Sequence, residues 1–225
     1  MKIVSVAAPG NGSGKTRTLA AILEAFPGRF AVVKFTTVFK DGVNCPRTEK
    51  ACACRSLHGR YTVVTDPAVL AMEDTDTGRL TQAGGSPVYW CLALVGAHDE
   101  AWGHIRRDLL APGSSVLTEG NTVIPILEPD LLVMVASPRV PKERWKPDAA
   151  DLIRRADVAI VNRHGCSDET VASLAAEIAV LRGGRAPAVE DVIAPLAAWR
   201  DPALRDGVTR ALAGLSTRPT PAPTD

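Results

Sequence analysis

Short apolar runs alternate along this chain with segments whose apolar residues recur every three to four positions. The first run, Ile3 to Ala8, is rich in Val and Ile and predicts a buried strand. Arg17 to Phe26 follows with apolar residues at helical spacing. Arg29–Phe35 predicts the second strand, and Tyr61–Thr65, Val88–Leu94, Ser115–Gly120, Leu131–Ala136, Asp157–Asn162 and Ala188–Glu190 predict the others. Leu131–Ala136 is apolar at every position, as in strands that a parallel sheet buries on both faces.

Between these runs the pattern changes to a helical period. Pro67–Met72 predicts a turn or two of helix, and Arg79–Ala83 a short helix entered through a polar, loop-like stretch, Asp74–Arg79. Glu100–Leu110 carries Trp102, Ile105 and Leu109 at i, i+3 and i+7. Asp148–Arg155 opens behind Pro147. Thr170–Leu181 has Asp168 placed as its N-cap and Gly183-Gly184 as its stop. A last helix, Ile193–Leu215, is interrupted by Pro195 and Pro202. Two stretches show neither period: Thr36 to about Arg60, and the Pro/Thr-rich tail Thr217–Asp225, which predicts disorder. With no internal repeat and no linker, residues 1–216 read as one domain carrying a loop insertion at about 36–60. The alternation predicts an α/β fold, a parallel sheet with helices on both faces in three layers. In such sheets ligands lie beyond the carboxyl ends of the strands, and Lys15, Glu119, Asn162 and the long loop all follow strands.

Between the first strand and the first helix lies Ala8-Pro9-Gly10-Asn11-Gly12-Ser13-Gly14-Lys15-Thr16. Strand, glycine-rich turn and helix is the context a phosphate-binding (Walker A) loop requires. Glycines let backbone N–H groups approach phosphate oxygens, and the helix N-terminus adds partial positive charge. Gly10, Asn11, Gly12, Ser13, Gly14, Lys15, Thr16 and Arg17 are therefore the expected nucleotide contacts, with Lys15 on the terminal phosphates and the Thr16 hydroxyl on Mg²⁺. The motif's first glycine falls on Pro9, so Gly10 and Gly12 must supply the freedom that proline removes.

Composition narrows the picture. At 225 residues and 46% hydrophobic, the chain can bury a sizeable core, and its net charge of +1 argues against an extended nucleic-acid footprint. No apolar run reaches membrane-span length, so the expectation is a cytoplasmic protein. Five cysteines, an odd number, do not suggest a disulfide framework there. Cys45, Cys52 and Cys54 cluster in the long loop with His58 close behind, a set that could hold zinc or anchor an iron–sulfur cluster. Glu119 ends its strand where an acid can hold Mg²⁺ or orient attacking water. Asp76 could reach the same cation, and the planar fork of Arg79 suits a phosphate. Asn162 sits where GTP-binding proteins read guanine with Asn-Lys-x-Asp, but Gly165 replaces the acid, which leaves ATP and GTP both open.

The loop Gly10–Thr16, the Val33-Lys34 strand end, Asp76-Thr77-Gly78-Arg79 before Ala83-Gly84, and Leu117-Thr118-Glu119-Gly120 occur in an order that resembles the MobB family. These are nucleotide-binding accessory proteins of molybdopterin-guanine dinucleotide biosynthesis, and the resemblance covers roughly residues 1 to 165. It implies a homodimeric, Mg²⁺-dependent P-loop NTPase that works with a partner protein in cofactor biosynthesis. It also implies that Lys15 and Thr16 bind phosphates and Mg²⁺, that Glu119 sits at the Mg²⁺ end, and that Asp76 and Arg79 line the site. The chain departs from the family at Pro9, at Phe35 where histidine is usual, and in its cysteine loop. Two other functions share the same loop: an NTP-gated metallochaperone using Cys45, Cys52 and Cys54, and a small-molecule kinase.

Overall fold

The structure, a computed structural model, describes residues 1–39, 57–199 and 202–213. Its elements run β1 (Lys2–Ala7), α1 (Lys15–Ala25), β2 (Ala31–Val38), β3 (Tyr61–Val64), α2 (Pro67–Leu70), α3 (Asp76–Gln82), β4 (Val88–Leu94) and α4 (His98–His104). They continue with β5 (Ser115–Glu119), α5 (Ile124–Leu127), β6 (Leu131–Ala136), α6 (Ala149–Arg155), β7 (Val158–Asn162), α7 (Asp168–Leu181), β8 (Ala188–Glu190) and α8 (Pro202–Leu212). The strands form one sheet in the order β3-β4-β2-β5-β1-β6-β7-β8. Every neighbouring pair is parallel except β3 with β4.

Alternation along each strand sends side chains to two helical layers, giving a three-layer α/β fold. Val4 and Val6 of β1, Val32 of β2 and Leu117 of β5 pack with Leu19, Ile22 and Leu23 of α1 and with Leu204 and Val208 of α8. On the opposite face, Val33, Phe35 and Val116 pack with Ala101 and Trp102 of α4. Further along that face Met134, Ala159 and Val161 pack with Leu152 and Ile153 of α6 and Val171 and Ile178 of α7. No helix among the described residues is long and apolar enough to cross a membrane.

Three helix boundaries differ from the sequence expectation. The stretch from Asp76 is helical rather than loop-like, because Thr75 caps it by accepting the Gly78 N–H at 2.9 Å. Asp76 then sits in the first turn, where an acid interacts well with the helix dipole. The cap of α7 is Ser167, not Asp168; Ser167 accepts from Thr170 N, and Asp168 starts the helix. The helix expected over Glu100–Leu110 begins at His98 and passes into a π turn over Ile105–Leu109. The prolines divide the last helical segment into a 3₁₀ turn, Leu196–Ala198, and α8. The expected disordered tail lies outside the described residues.

Candidate functional site

The strand order puts β1 between β5 and β6, with β2 beside β5, so the loop after β1 is flanked by side chains from other strands. That loop ends on Gly14, the N-cap of α1, at φ 110°, a left-handed conformation that favours glycine. A Cβ there would also stand 2.9 Å from both Asn162 Nδ2 and Val192. At Gly10 the reason for glycine is a close approach: a Cβ would lie 2.6 Å from Val140 and 3.1 Å from the Arg144 carbonyl. Both belong to the segment after β6, which also donates Lys146 N–H to the Pro9 carbonyl at 2.7 Å. Pro9 thus has its carbonyl bonded and needs no N–H of its own here. Ser13 Oγ donates to Gly10 O at 3.0 Å and closes the loop, while Asn11 and Gly12 face solvent. α1 has no side-chain cap and no acidic residue in its first turn, so its first N–H groups face neither a competing acceptor nor a repelling carboxylate of its own. Arg17 is exposed on that turn.

One flank of the loop is charged. Lys34 on β2 and Glu119 on β5 are register partners, in the same cross-strand row as Val6 of β1. They share the face that carries Val32 and Leu117, the α1 face. Lys34 Nζ donates to Glu119 Oε1 at 3.0 Å and to Asp76 Oδ2 at 2.8 Å. Thr16 Oγ1 donates to Glu119 Oε2 at 2.9 Å, and Arg79 stands 3.5 Å from Asp76 Oδ1. Lys34 and Glu119 are only 8% and 5% exposed. Burial alone would drive Lys34 toward neutrality, but Glu119 and Asp76 outweigh it and hold its pKa above the ordinary lysine value. Lys15 has no such partner among the described residues. Burial, with repulsion from Lys146 and Lys34, pushes its pKa down to about 8 against the pull of Glu119 and Asp76. Lys146 is lowered as well, chiefly by burial.

On the other flank the side-chain contact to the loop is neutral. Asn162 Nδ2 donates to the Ser13 carbonyl at 3.2 Å, and its Oδ1 accepts the His164 N–H at 3.1 Å. Both ends of the amide are engaged with main chain, which makes Asn162 a tether for the loop in this structure. Asp168 pairs with Arg163 at 3.0 Å at the surface. On the side of β5, Asn121 brackets Ala8, accepting its N–H at 3.2 Å and donating to its carbonyl at 2.9 Å.

The structure thus brings together Gly10, Ser13, Gly14, Thr16, Asp76, Arg79, Glu119 and Asn162, with Lys15 within electrostatic reach of Glu119 and Asp76. Lys34, Asn121 and Lys146 join them; the sequence reading uses Lys34 only in the Val33-Lys34 strand end and gives none of the three a role in the site. A charged residue inside the apolar run Ala31–Phe35 is the available signal for Lys34. Nothing local marks Lys146, whose place depends on the path of the chain after β6. Cys45, Cys52 and Cys54 lie outside the described residues. His58 is exposed, with its N–H on Thr62 Oγ1 at 2.7 Å.

The donor set fits a hard divalent cation. Thr16 offers a hydroxyl, and Glu119 and Asp76 offer carboxylates; Mg²⁺ takes one or two such groups and completes its shell with water and phosphate oxygens. Among the described residues no group of three or more His, Cys, Asp or Glu is assembled, the arrangement a soft-metal site would need. No protein-family model matches the chain, and a search of curated proteins finds no match.

Proposed function

We propose that the chain is an Mg²⁺-dependent nucleoside triphosphatase whose phosphates are held by the loop Gly10–Thr16. The observation that carries this reading is the joining of Thr16, at the head of α1, to Glu119, at the end of β5, through one 2.9 Å hydrogen bond. A hydroxyl and a carboxylate in that relation, beside an uncapped helix start and a desolvated lysine, would suit a divalent cation held next to phosphate. Bound Mg²⁺ would supply charge neutralisation at the phosphates. The chain's own groups do the rest. Lys15 offsets charge on the terminal phosphates, and loop N–H groups orient them. Glu119 would hold Mg²⁺ or orient the attacking water, and Arg79 would meet an outer phosphate oxygen. The order of motifs further supports a MobB-like role, as a homodimeric accessory factor that hydrolyses ATP or GTP during cofactor assembly.

The test is binding and turnover together. Wild-type protein is expected to bind and hydrolyse Mg·ATP or Mg·GTP. Lys15→Ala is expected to lose about 10²-fold in affinity, the size of a charge-assisted contact worth about 3 kcal/mol, while remaining folded. Titration calorimetry showing wild-type affinity in a folded Lys15→Ala protein would overturn the assignment.

A further inference from the structure

The charged flank of the loop already contains a cation. Lys34 Nζ lies between Asp76 Oδ2 at 2.8 Å and Glu119 Oε1 at 3.0 Å, and the other Glu119 oxygen accepts from Thr16. The side chains around this ammonium are thus the same hard oxygen donors that a divalent ion would use. The Lys34 side chain is 10% exposed and that of Glu119 7%, so the pair is shielded from solvent and salt. Its register across β2 and β5 fixes Lys34 beside Glu119 by strand pairing rather than by a mobile loop.

We infer that Lys34 is a resident counter-cation that occupies the divalent-ion position of the nucleotide-free protein and yields it only when Mg²⁺ arrives with phosphate. The inference rests on the nucleotide-site reading above. Two cations repel strongly in a shielded site, so Mg²⁺ alone must displace the ammonium from both carboxylates and leave it buried beside Lys15 with no anion to meet. A triphosphate changes that balance. It brings enough negative charge to receive Lys34 on its outer oxygens, and Glu119, Asp76 and Thr16 would then hold Mg²⁺. Metal and nucleotide therefore enter as a pair. Until they do, Lys34 bridges Asp76 and Glu119 and offsets the repulsion between the two carboxylates. Its release delivers a second lysine charge to the phosphates, alongside Lys15.

Mn²⁺ alone, with no nucleotide, tests this on the full chain. Free Mn²⁺ is followed by its paramagnetic resonance signal, and thermal melting is read with and without the ion. Wild-type protein is expected to leave the free signal unchanged and to melt at the same temperature with Mn²⁺. Lys34→Met, which keeps the side-chain length without the charge, is expected to melt lower and to bind Mn²⁺ roughly tenfold or more tighter than wild type. Its melting temperature should be partly restored by the ion, because a ligand that binds only the folded state stabilises it. That rescue is readable even where Lys34→Met folds poorly without metal. In Lys34→Met/Asp76→Asn both the gained affinity and the rescue should disappear. Equal Mn²⁺ affinity in wild type and Lys34→Met, or neither binding nor rescue in Lys34→Met, overturns the inference. The two readings fail separately: a wild type that binds no nucleotide while Lys34→Met gains Mn²⁺ removes the nucleoside triphosphatase and keeps the cation site.

Discussion

The loop after β1 is supported differently on its two sides, and the difference separates chemistry from shape. Toward β5 and β2 a neutral amide, Asn121 on Ala8, stands beside a charged group, Lys34 with Asp76 and Glu119, which Thr16 joins through its hydroxyl. Toward β7 the support is one neutral amide, Asn162, bonded to the Ser13 carbonyl and the His164 N–H. A charge pair can exchange one partner for another ion with little movement, because the replacement satisfies the same carboxylate. An amide bonded to main chain has no such substitute, and its removal takes the partner from the buried Ser13 carbonyl and the part-buried His164 N–H. On the proposed reading, the charged group would change partners when a ligand arrives, and Asn162 would keep the loop's path while that happens.

The sharpest way to break the comparison is to neutralise the charged side without changing its shape. Glu119→Gln keeps an acceptor for the Thr16 hydroxyl but loses the charge that holds a cation or orients water. Nucleotide binding is expected to persist while turnover falls on the order of 10²-fold, the usual contribution of a positioned general base. Steady-state hydrolysis measured beside calorimetric binding checks it. Undiminished turnover would leave Glu119 as a partner of Lys34 and nothing more.

The neutral side should respond in the opposite manner. Asn162→Ala orphans the Ser13 carbonyl and the His164 N–H, and should lower unfolding stability by about 1–3 kcal/mol. Its turnover per bound nucleotide should stay near that of the wild type. Denaturant midpoints with saturating kinetics distinguish the two effects. A variant of unchanged stability that instead confuses ATP with GTP would return Asn162 to base reading and remove the contrast between the flanks.

Much of this arrangement is legible in the sequence, because it depends on local pattern. The apolar runs give the strands, and Gly-Lys-Thr between a strand and a helix gives the loop. What pattern does not carry is pairing across strands distant in sequence. Lys34 and Glu119 are 85 residues apart and meet only because β2 lies beside β5. From sequence, Lys34 is a polar residue in an apolar run, and the fold reveals that its partners sit on β5 and α3. Lys146 is less legible still, since its main-chain bond to Pro9 depends on the path taken after β6. The stretch around Asp76 hides its helix for a simpler, local reason. Thr75 caps a helix there, and a polar stretch with a capping threonine resembles a loop until the cap bond is seen.

The smallest expected effect is a dependence on pH, and it too divides the two sides. Burial, with repulsion from Lys146 and Lys34, brings the Lys15 pKa down to about 8 from 10.5. Between those values the unfolded chain binds more protons than the folded one, so stability rises with pH across that window. Below about 8 the cost of holding the charge in a desolvated place is present in full. On the proposed reading a triphosphate would restore the charge, because its oxygens would stand as a partner for Lys15. Nucleotide binding above pH 8 should therefore take up a proton, and affinity should fall as pH rises further. Asn162 is neutral throughout, so the affinity ratio of wild type to Asn162→Ala should be the same at pH 7 and pH 9. Calorimetry in buffers of differing ionisation enthalpy reads the proton directly. A wild type that takes up no proton at pH 8.5, with affinity flat from pH 7 to 9.5, would mean that Lys15 keeps its charge in the free protein and that the loop is less desolvated than its packing against the segment after β6 implies.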